Sequence, residues 1–440
     1  NTTGSDNVAV GHSALDANTT GPNNTAVGKF ALSSNTTGSE NTGLGDRAGI
    51  NNTTASRIVA VGHYALASNT TGSNNTAVGA NSLDANTTGS ENVSLGTYSL
   101  GANTTGISNV AIGSNSLQLN STGSNNTAVG YLALDKTTED ENTAVGAYSL
   151  RENTSGEYNT AVGTSALTKN TTADYCTAVG NNALTKNTTA SNNTAVGFEA
   201  LKMTTTGDSN VAVGTYALKE NTTNVKSVAV GMNALRESNG GTFNVAVGHD
   251  ALQQLTDGAY NVAVGSFTLD ANTTADYNTG CGHAVLTNNT TGANNTGVGR
   301  DALNKNTTGH SNTAVGEHAL AENTTGYRNI AVGRLALEDN TTGVHNCALG
   351  YASLANNTTA SNNTGVGYNT LITNTTGHSN TAVGDHALTA NTTANYNTAV
   401  GRQALTANTT GEYNVGIGHA SLLANTTGSQ NTVIGYQSGQ

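Results

Sequence analysis

The chain has 440 residues, of which only 10% are charged and 4% aromatic, and it contains 53 glycines, one Pro and no Trp. Such a chain cannot fill one large core with big side chains, and its net charge of −12 is too thinly spread to form a nucleic-acid surface. No apolar run reaches the ~20 residues of a membrane span, and three distant cysteines fit neither a disulfide scaffold nor a zinc site. We therefore expect no cofactor, no metal, no nucleic acid and no membrane insertion.

One short unit fills the whole sequence. A glycine recurs every 17 residues from Gly11 to Gly130, and after a single 16-residue step to Gly146 the 17-residue spacing continues to Gly435, which makes 26 copies. The consensus is N-T-T-G-x-x-N-[TV]-A-V-G-x-x-A-L-x-x. We number these positions 1 to 17, so that Asn69 is at position 1 and Gly79, which we call the marker glycine, is at position 11. Internal periodicity of this kind indicates a repeat architecture.

Each unit predicts a turn, a strand, a second turn and a second strand, in that order. N-T-T-G is typical of a type I turn, and the β-branched segment [TV]-A-V before the marker glycine predicts a strand. The pair at positions 8 and 10 shares one strand face and Ala at position 9 lies on the other. The marker glycine is expected to have a positive φ. A second short strand is predicted around Ala-Leu at positions 14 and 15, and the position 8 threonines, such as Thr25 and Thr76, are interpreted as buried.

These elements predict an all-β fold, a parallel β-solenoid (β-roll) with 26 coils of 17 residues. Helical repeats are longer than this and disfavour so many Gly, Asn and β-branched residues. We expect residues 1–440 to form a single continuous array without distinct caps; the sequence begins directly within the repeat array and without an initiating Met, as an excerpt would. Structural ladders are predicted for the asparagines of position 7 and for the marker glycines, represented by Asn24, Asn75, Asn126, Asn193, Asn295, Gly28, Gly79, Gly130, Gly197 and Gly299.

The apolar pattern also predicts self-association. One Val and one Leu per coil bury little apolar surface compared with the entropy lost in ordering 17 residues. The strand carries apolar atoms on both faces, so one face is expected inside the coil and the other against a second chain. The simplest such partner is the protein itself, as a homo-oligomer and most simply a trimer around the rod axis. Stacking end to end into longer filaments is a further expectation.

Two segments resemble repeats of known fibrous proteins. NVAVGHSAL at Asn7 to Leu15 and NVAIGSNSL at Asn109 to Leu117 resemble the head repeats of YadA-like trimeric autotransporters. The pattern G-x-N-T-A-V-G-x-x-A-L is even more similar to arrays in phage tail-fibre-type proteins that carry an intramolecular chaperone. The resemblance covers essentially the whole chain and implies a left-handed, trimeric, extracellular fibre on a cell or virion surface. The autotransporter repeat is shorter, and no stalk, anchor or chaperone is recognisable here, so the adhesive function of those families carries over least.

The N-T-T segment allows two interpretations, a turn or a glycan attachment site. Asn-Thr-Thr is an N-glycosylation sequon, the paired threonines could carry O-glycans, and Asn followed by Thr also suits a turn. We keep both interpretations open. The candidate glycosylation asparagines are Asn18, Asn35, Asn52, Asn69, Asn86, Asn103, Asn187, Asn272, Asn306, Asn374 and Asn425.

No catalytic residues stand out, because histidines and carboxylates are scattered over variable positions. The chain is therefore expected not to be an enzyme. We expect a structural extracellular fibre protein whose rigid shaft self-associates. The alternative is an adhesin or receptor-binding fibre that contacts surface polysaccharide, and an ice-binding solenoid is weaker still. Aligned aromatic residues would favour binding, but Tyr64, Tyr98 and Tyr148 share position 13 without lying in neighbouring coils.

Overall fold

The fold is known from a computed structural model that describes residues 2–439 and divides the chain into two units, Asn1–Thr223 and Asn224–Gln440. Each unit contains thirteen strands of three residues. In the first unit β1 to β13 are Val8–Val10, Thr25–Val27, Thr42–Leu44, Val59–Val61, Thr76–Val78, Val93–Leu95, Val110–Ile112, Thr127–Val129, Thr143–Val145, Thr160–Val162, Thr177–Val179, Thr194–Val196 and Val211–Val213. In the second unit β14 to β26 are Val228–Val230, Val245–Val247, Val262–Val264, Thr279–Cys281, Thr296–Val298, Thr313–Val315, Ile330–Val332, Cys347–Leu349, Thr364–Val366, Thr381–Val383, Thr398–Val400, Val415–Ile417 and Thr432–Ile434.

Within each unit, every strand pairs in parallel and in register with the strand of the next coil. Ala60 of β4 lies opposite Ala77 of β5, for example, so equivalent positions of the repeat face each other. Hydrogen bonds between coils continue around the turns, as from the Leu83 amide to the Ser99 carbonyl at 3.0 Å. The predicted all-β parallel β-solenoid with 17-residue coils is thereby confirmed. Its handedness and its association with other chains stay predictions.

The second predicted strand, around Ala-Leu, is wrong. Positions 11 to 17 form turns, and the leucines of position 15 have left-handed backbone conformation, as at Leu83 with a φ of 53°. This conformation costs an L-residue roughly 1–2 kcal/mol, so burial of the leucine side chain must offset it. The two copies without Leu at position 15 have Gly49 and Gly439, whose φ values are 60° and 67°. The positive φ predicted for the marker glycine is confirmed, with 135° at Gly79.

The core of each coil is narrow and half polar. It contains the small residues of positions 9 and 14, Leu of position 15, and the two asparagines of positions 1 and 7. In the coil of Asn69, the side chains of Ala77 and Leu83 are fully buried, whereas Val78 is only half-buried. The sequence interpretation that Val and Leu fill the core together is therefore wrong. Ala points inward because the chain opposite it leaves no room for a larger side chain.

Substitutions at facing positions show how tight this interior is. Val285 replaces the usual Ala of position 14, and the adjacent position 9 residues are Gly280 and Gly297. A Cβ added at Gly297 would lie 2.5 Å from Cγ1 of Val285. In the last coil, Val433 occupies position 9 and Gly439 replaces the leucine, with 3.1 Å between a Cβ built on Gly439 and Cγ2 of Val433. Large and small residues therefore compensate each other across the coil.

The single 16-residue coil is one residue shorter than the others because its N-T-T-G turn lacks a residue. Thr137 takes the buried place of the position 1 asparagine, and its hydroxyl accepts a hydrogen bond from Nδ2 of Asn153 at 3.3 Å. The Glu139 carbonyl takes the place of the position 4 glycine carbonyl and accepts from Nδ2 of Asn126 at 2.7 Å. Because the deletion is absorbed in the turn, the strands on either side keep their register, with Thr127 opposite Thr143.

Candidate interaction surface

The outer face of the sheet in each unit is formed by the side chains of positions 8 and 10. Position 8 holds Thr in 15 coils and Val in nine, while position 10 is aliphatic in all coils except that of Cys281. These side chains point away from the core because successive strand residues alternate between faces. Val298 and Val315, in the interior of the second unit, are each 36% exposed. A single chain thus presents a regular, uncharged and largely apolar face, which we call the outer face.

The prediction that the position 8 threonines are buried is wrong. Thr25 and Thr76 are half-buried on the outer face, because Ala of the same strand occupies the interior instead. A buried threonine hydroxyl could not contact ice, whereas these half-buried threonines reach the surface. However, the aliphatic residues of position 10 leave only one row of hydroxyl groups on this face, interrupted by Val in nine coils.

The three cysteines lie in different surroundings. Cys176 replaces Asn at position 7, is fully buried, and burial raises the pKa of its thiol to about 11. Such a thiol stays protonated and unreactive at neutral pH. Cys281 is exposed and Cys347 is half-buried, and both lie on the outer face, at positions 10 and 8. These two thiols report on whether the outer face is covered.

The asparagines of position 7 connect successive coils through their side chains. Nδ2 of Asn75 donates to the carbonyl of Gly89 in the next coil at 2.7 Å, and its Oδ1 accepts from the Asn92 amide at 3.0 Å. Asn24, Asn126, Asn193 and Asn295 make the same two kinds of bond and are fully buried. Buried amides satisfied in this way hold consecutive coils in register.

The marker glycines allow the coils to approach each other closely. A Cβ built on Gly79 would lie 2.6 Å from the carbonyl oxygen of Gly96 in the next coil. Gly28, Gly130, Gly197 and Gly299 have the same positive φ, between 117° and 138°, and the same approach to the next marker glycine. Any side chain here would push neighbouring coils apart, so these residues have a structural role.

The candidate glycosylation asparagines occupy position 1, which lies inside the coil. Nδ2 of Asn69 donates to Oδ1 of Asn52 at 2.9 Å and to the Gly72 carbonyl at 3.0 Å. Asn18, Asn35, Asn86, Asn103, Asn187, Asn272, Asn306 and Asn374 are buried as well, and only Asn425 is half-buried. A glycan on these nitrogens would break the ladder, so attachment to the folded coil is sterically blocked at the buried sites.

The two threonines of N-T-T differ in what their hydroxyls do. The first, at position 2, donates to the carbonyl of the equivalent residue in the next coil, as Oγ1 of Thr70 does to Thr87 at 3.0 Å. The second, at position 3, is exposed at the edge of the coil, as Thr71 and Thr88 are. The sequon is therefore mostly a structural turn, and position 3 is the part of it that an enzyme can reach.

Aromatic side chains form stacks along the edge at position 6, a feature that the sequence interpretation missed. Tyr158 and Tyr175 stack with ring centroids 5.1 Å apart, and Phe243, Tyr260 and Tyr277 form a stack of three with the same spacing. A third stack contains Tyr396 and Tyr413, at 4.9 Å. Aligning the 26 copies at position 6 would have revealed it, because all seven Phe and Tyr residues of this position occur in runs of neighbouring coils.

Charged residues follow the other edge of the outer face, at position 12. Glu317 pairs with Arg334 at 2.9 Å on one side and with Arg300 on the other. Hydrogen bonds from Arg334 and Arg300 lower the pKa of the Glu317 carboxyl. Exposed pairs of this kind contribute little stability, but they align opposite charges from coil to coil.

No pocket opens on the described part of the chain, and no three metal-binding side chains among residues 2–439 lie close enough to hold an ion. The same residues include no helix with the length and apolar character that crossing a bilayer requires. Neither a known family nor a curated protein matches the sequence.

Proposed function

We propose that this protein is the shaft of an extracellular fibre and that copies of the chain associate through the outer face. The observation that carries the proposal is the uncharged ladder of positions 8 and 10. Among 52 side chains at these two positions in 26 coils, none is charged, although 10% of the chain is. A face that met only water would be expected to carry charges, as position 12 does.

The partner that fits this face is a second copy of the same chain. Equivalent residues repeat along the outer face at the spacing of the coils, about 4.8 Å, so two copies match each other row by row. A trimer around a common axis, as the resemblance to fibre repeats implies, would cover the outer face of all three chains. The edges at positions 3, 6 and 12 would then remain on the surface of the fibre.

Sedimentation equilibrium of the purified chain tests the proposal. We expect a mass three times that of the 44.2 kDa chain, and a folded species with the mass of one chain would contradict it. The thiol of Cys281 gives an independent readout in a variant with Cys176→Asn and Cys347→Thr, which restore the residues that most coils have at those positions. The remaining thiol should react slowly in the folded protein and rapidly in denaturant. Equal rates would show that the outer face is open.

The position 6 stacks favour a second candidate function, binding of surface polysaccharide. Aromatic rings and tyrosine hydroxyls that project from one edge offer apolar contact and hydrogen bonds to a sugar chain. The expected result is that Tyr277→Ala and Tyr413→Ala weaken adhesion to polysaccharide-coated beads, while Tyr64→Ala, away from this edge, does not. Any glycans that intact mass detects on the protein itself should be found, by mass spectrometry of its peptides, on position 3 threonines rather than on the buried asparagines.

A further inference from the structure

Eight of the fifteen tyrosines form four parallel pairs between consecutive coils. Three pairs lie at position 6, with ring centroids 4.9–5.1 Å apart and interplanar angles between 2° and 11°. The fourth lies at position 12, with centroids 5.3 Å apart and an angle of 14°. The pairs are Tyr158–Tyr175, Tyr260–Tyr277, Tyr396–Tyr413 and Tyr351–Tyr368.

The spacing between coils, rather than a binding pocket, places these rings next to each other. Equivalent positions of neighbouring coils lie about 4.8 Å apart, so two tyrosines at the same position must lie side by side. All eight rings are also open to solvent, from 39% exposure at Tyr351 to 59% at Tyr175. Each phenol therefore has one fixed phenol neighbour and is accessible to a reagent in solution.

We propose that the four pairs are sites of oxidative tyrosine cross-linking between consecutive coils. The oxidant is hydrogen peroxide acting through a haem peroxidase. The peroxidase, oxidised by hydrogen peroxide, removes one electron and one proton from each of the two phenols. The two phenoxyl radicals then form a carbon–carbon bond between ring carbons ortho to the oxygens. The hydrogens on those carbons move to the phenol oxygens. The protein loses two hydrogen atoms in all, and these reduce one hydrogen peroxide molecule to two water molecules.

The geometry favours coupling within a pair over all other outcomes. Exposed side chains reorient within nanoseconds, so two radicals on neighbouring coils can turn from the stacked to the edge-to-edge arrangement that bonding requires. The chain provides an internal comparison, because Phe243 stacks on Tyr260 at 5.1 Å but lacks the phenol oxygen.

Each bond would join residues 17 positions apart in the sequence and staple one coil to the next. Three of the four staples lie in the second unit, and Tyr158–Tyr175 lies in the first. The contacts that carry the four pairs all lie within one chain. The inference therefore does not depend on the proposed association of copies.

Treatment of the dilute full-length protein with a haem peroxidase and hydrogen peroxide tests the inference. Covalent multimers are removed by size exclusion in denaturant, and the single-chain fraction is digested with a protease of broad specificity. Mass spectrometry should show linked peptides lighter by two hydrogens for the four stacked pairs. The dityrosine fluorescence per chain should not depend on the protein concentration during the reaction.

Matched variants decide between a built-in site and random oxidation. Tyr277→Phe should abolish the product with Tyr260 and leave the other three, whereas Phe243→Tyr should add a new link to Tyr260. Circular dichroism checks that both variants keep the fold. The inference is overturned if links form mainly between molecules or if only singly oxidised tyrosines appear.

Discussion

Replacing one asparagine in the middle of a ladder should destabilise the coils on both sides of it. Asn312 is fully buried at position 7 of the second unit. Its Nδ2 donates to the Gly326 carbonyl at 2.9 Å and to Oδ1 of Asn295 at 3.2 Å, and its Oδ1 accepts from the amide of Asn329 at 3.0 Å. The variant Asn312→Ala removes these three bonds and a fourth, which Oδ1 of Asn312 accepts from Nδ2 of Asn329 at 3.2 Å.

The size of the effect follows from what the substitution leaves behind. The Asn329 amide loses its partner in an interior that holds no pocket between residues 2 and 439, whereas the Gly326 carbonyl keeps the bond from Nδ2 of Asn323 at 3.0 Å. A buried polar group without a partner costs about 1–3 kcal/mol, so we expect a loss of about 1–3 kcal/mol. Asn312→Ser should cost less, because a hydroxyl can still accept from the next amide, as Oγ of Ser227 does from Asn244 at 3.3 Å.

Hydrogen exchange is the suitable assay, because unfolding of a repeat array need not be all-or-none. A loss of about 1–3 kcal/mol corresponds to about 5- to 150-fold faster exchange of amides in the coils next to Asn312. Asn288→Ala, at an exposed side chain of the same unit, is the control and should change exchange by less than about 0.5 kcal/mol. Equal effects of the two variants would refute the ladder argument.

Three further predictions concern the core, the outer face and the surface charges. Gly297→Ala should cost about 1–3 kcal/mol by overpacking, and Val285→Ala in the same chain should recover most of that loss in denaturant unfolding. Val315→Asp should abolish association in sedimentation while the separated chain keeps its circular dichroism spectrum; an unchanged mass would exclude the outer face as the interface. Burial, together with Asp250 and Glu237, raises the pKa of Asp270, so its charge destabilises the native state above that pKa. Asp270→Asn should therefore raise the melting temperature at pH 7, with the gain shrinking toward pH 4, and an equal gain at both values would contradict the pKa argument.

The periodicity alone was enough to predict the solenoid. The 17-residue spacing fixed the coil length, and the β-branched segment before the marker glycine located every strand. The turn after the marker glycine could not be predicted in the same way. Sequence patterns treat Leu83 as an ordinary strand residue, because a left-handed Leu becomes favourable only when the completed coil buries its side chain.

The other point that the pattern left open was which face of the strand is buried. Alternation places Thr76 and Val78 on one face and Ala77 on the other, but it does not say which face is inside. The compensating pairs do contain that information. Gly297 at position 9 accompanies the larger Val285 at position 14, and Gly439 at position 15 accompanies the larger Val433 at position 9. Positions 9, 14 and 15 must therefore share one interior volume. Comparing deviations between the copies, rather than the consensus, would have predicted the inward alanine.

The proposed association through the outer face also offers a reason why the unit is repeated so many times. A fully buried Val contributes about 1.5–3 kcal/mol, so a Val left about one-third exposed retains about 0.5–1 kcal/mol for contact with another chain. Association costs an estimated 4–15 kcal/mol in lost freedom, which no single coil can offset. Thirteen coils in one unit supply about 6–13 kcal/mol from position 10 alone. A chain cut to three or four coils should therefore remain monomeric even where its coils still fold, whereas a complete unit should associate, and sedimentation of such a length series would locate the number of coils that association requires.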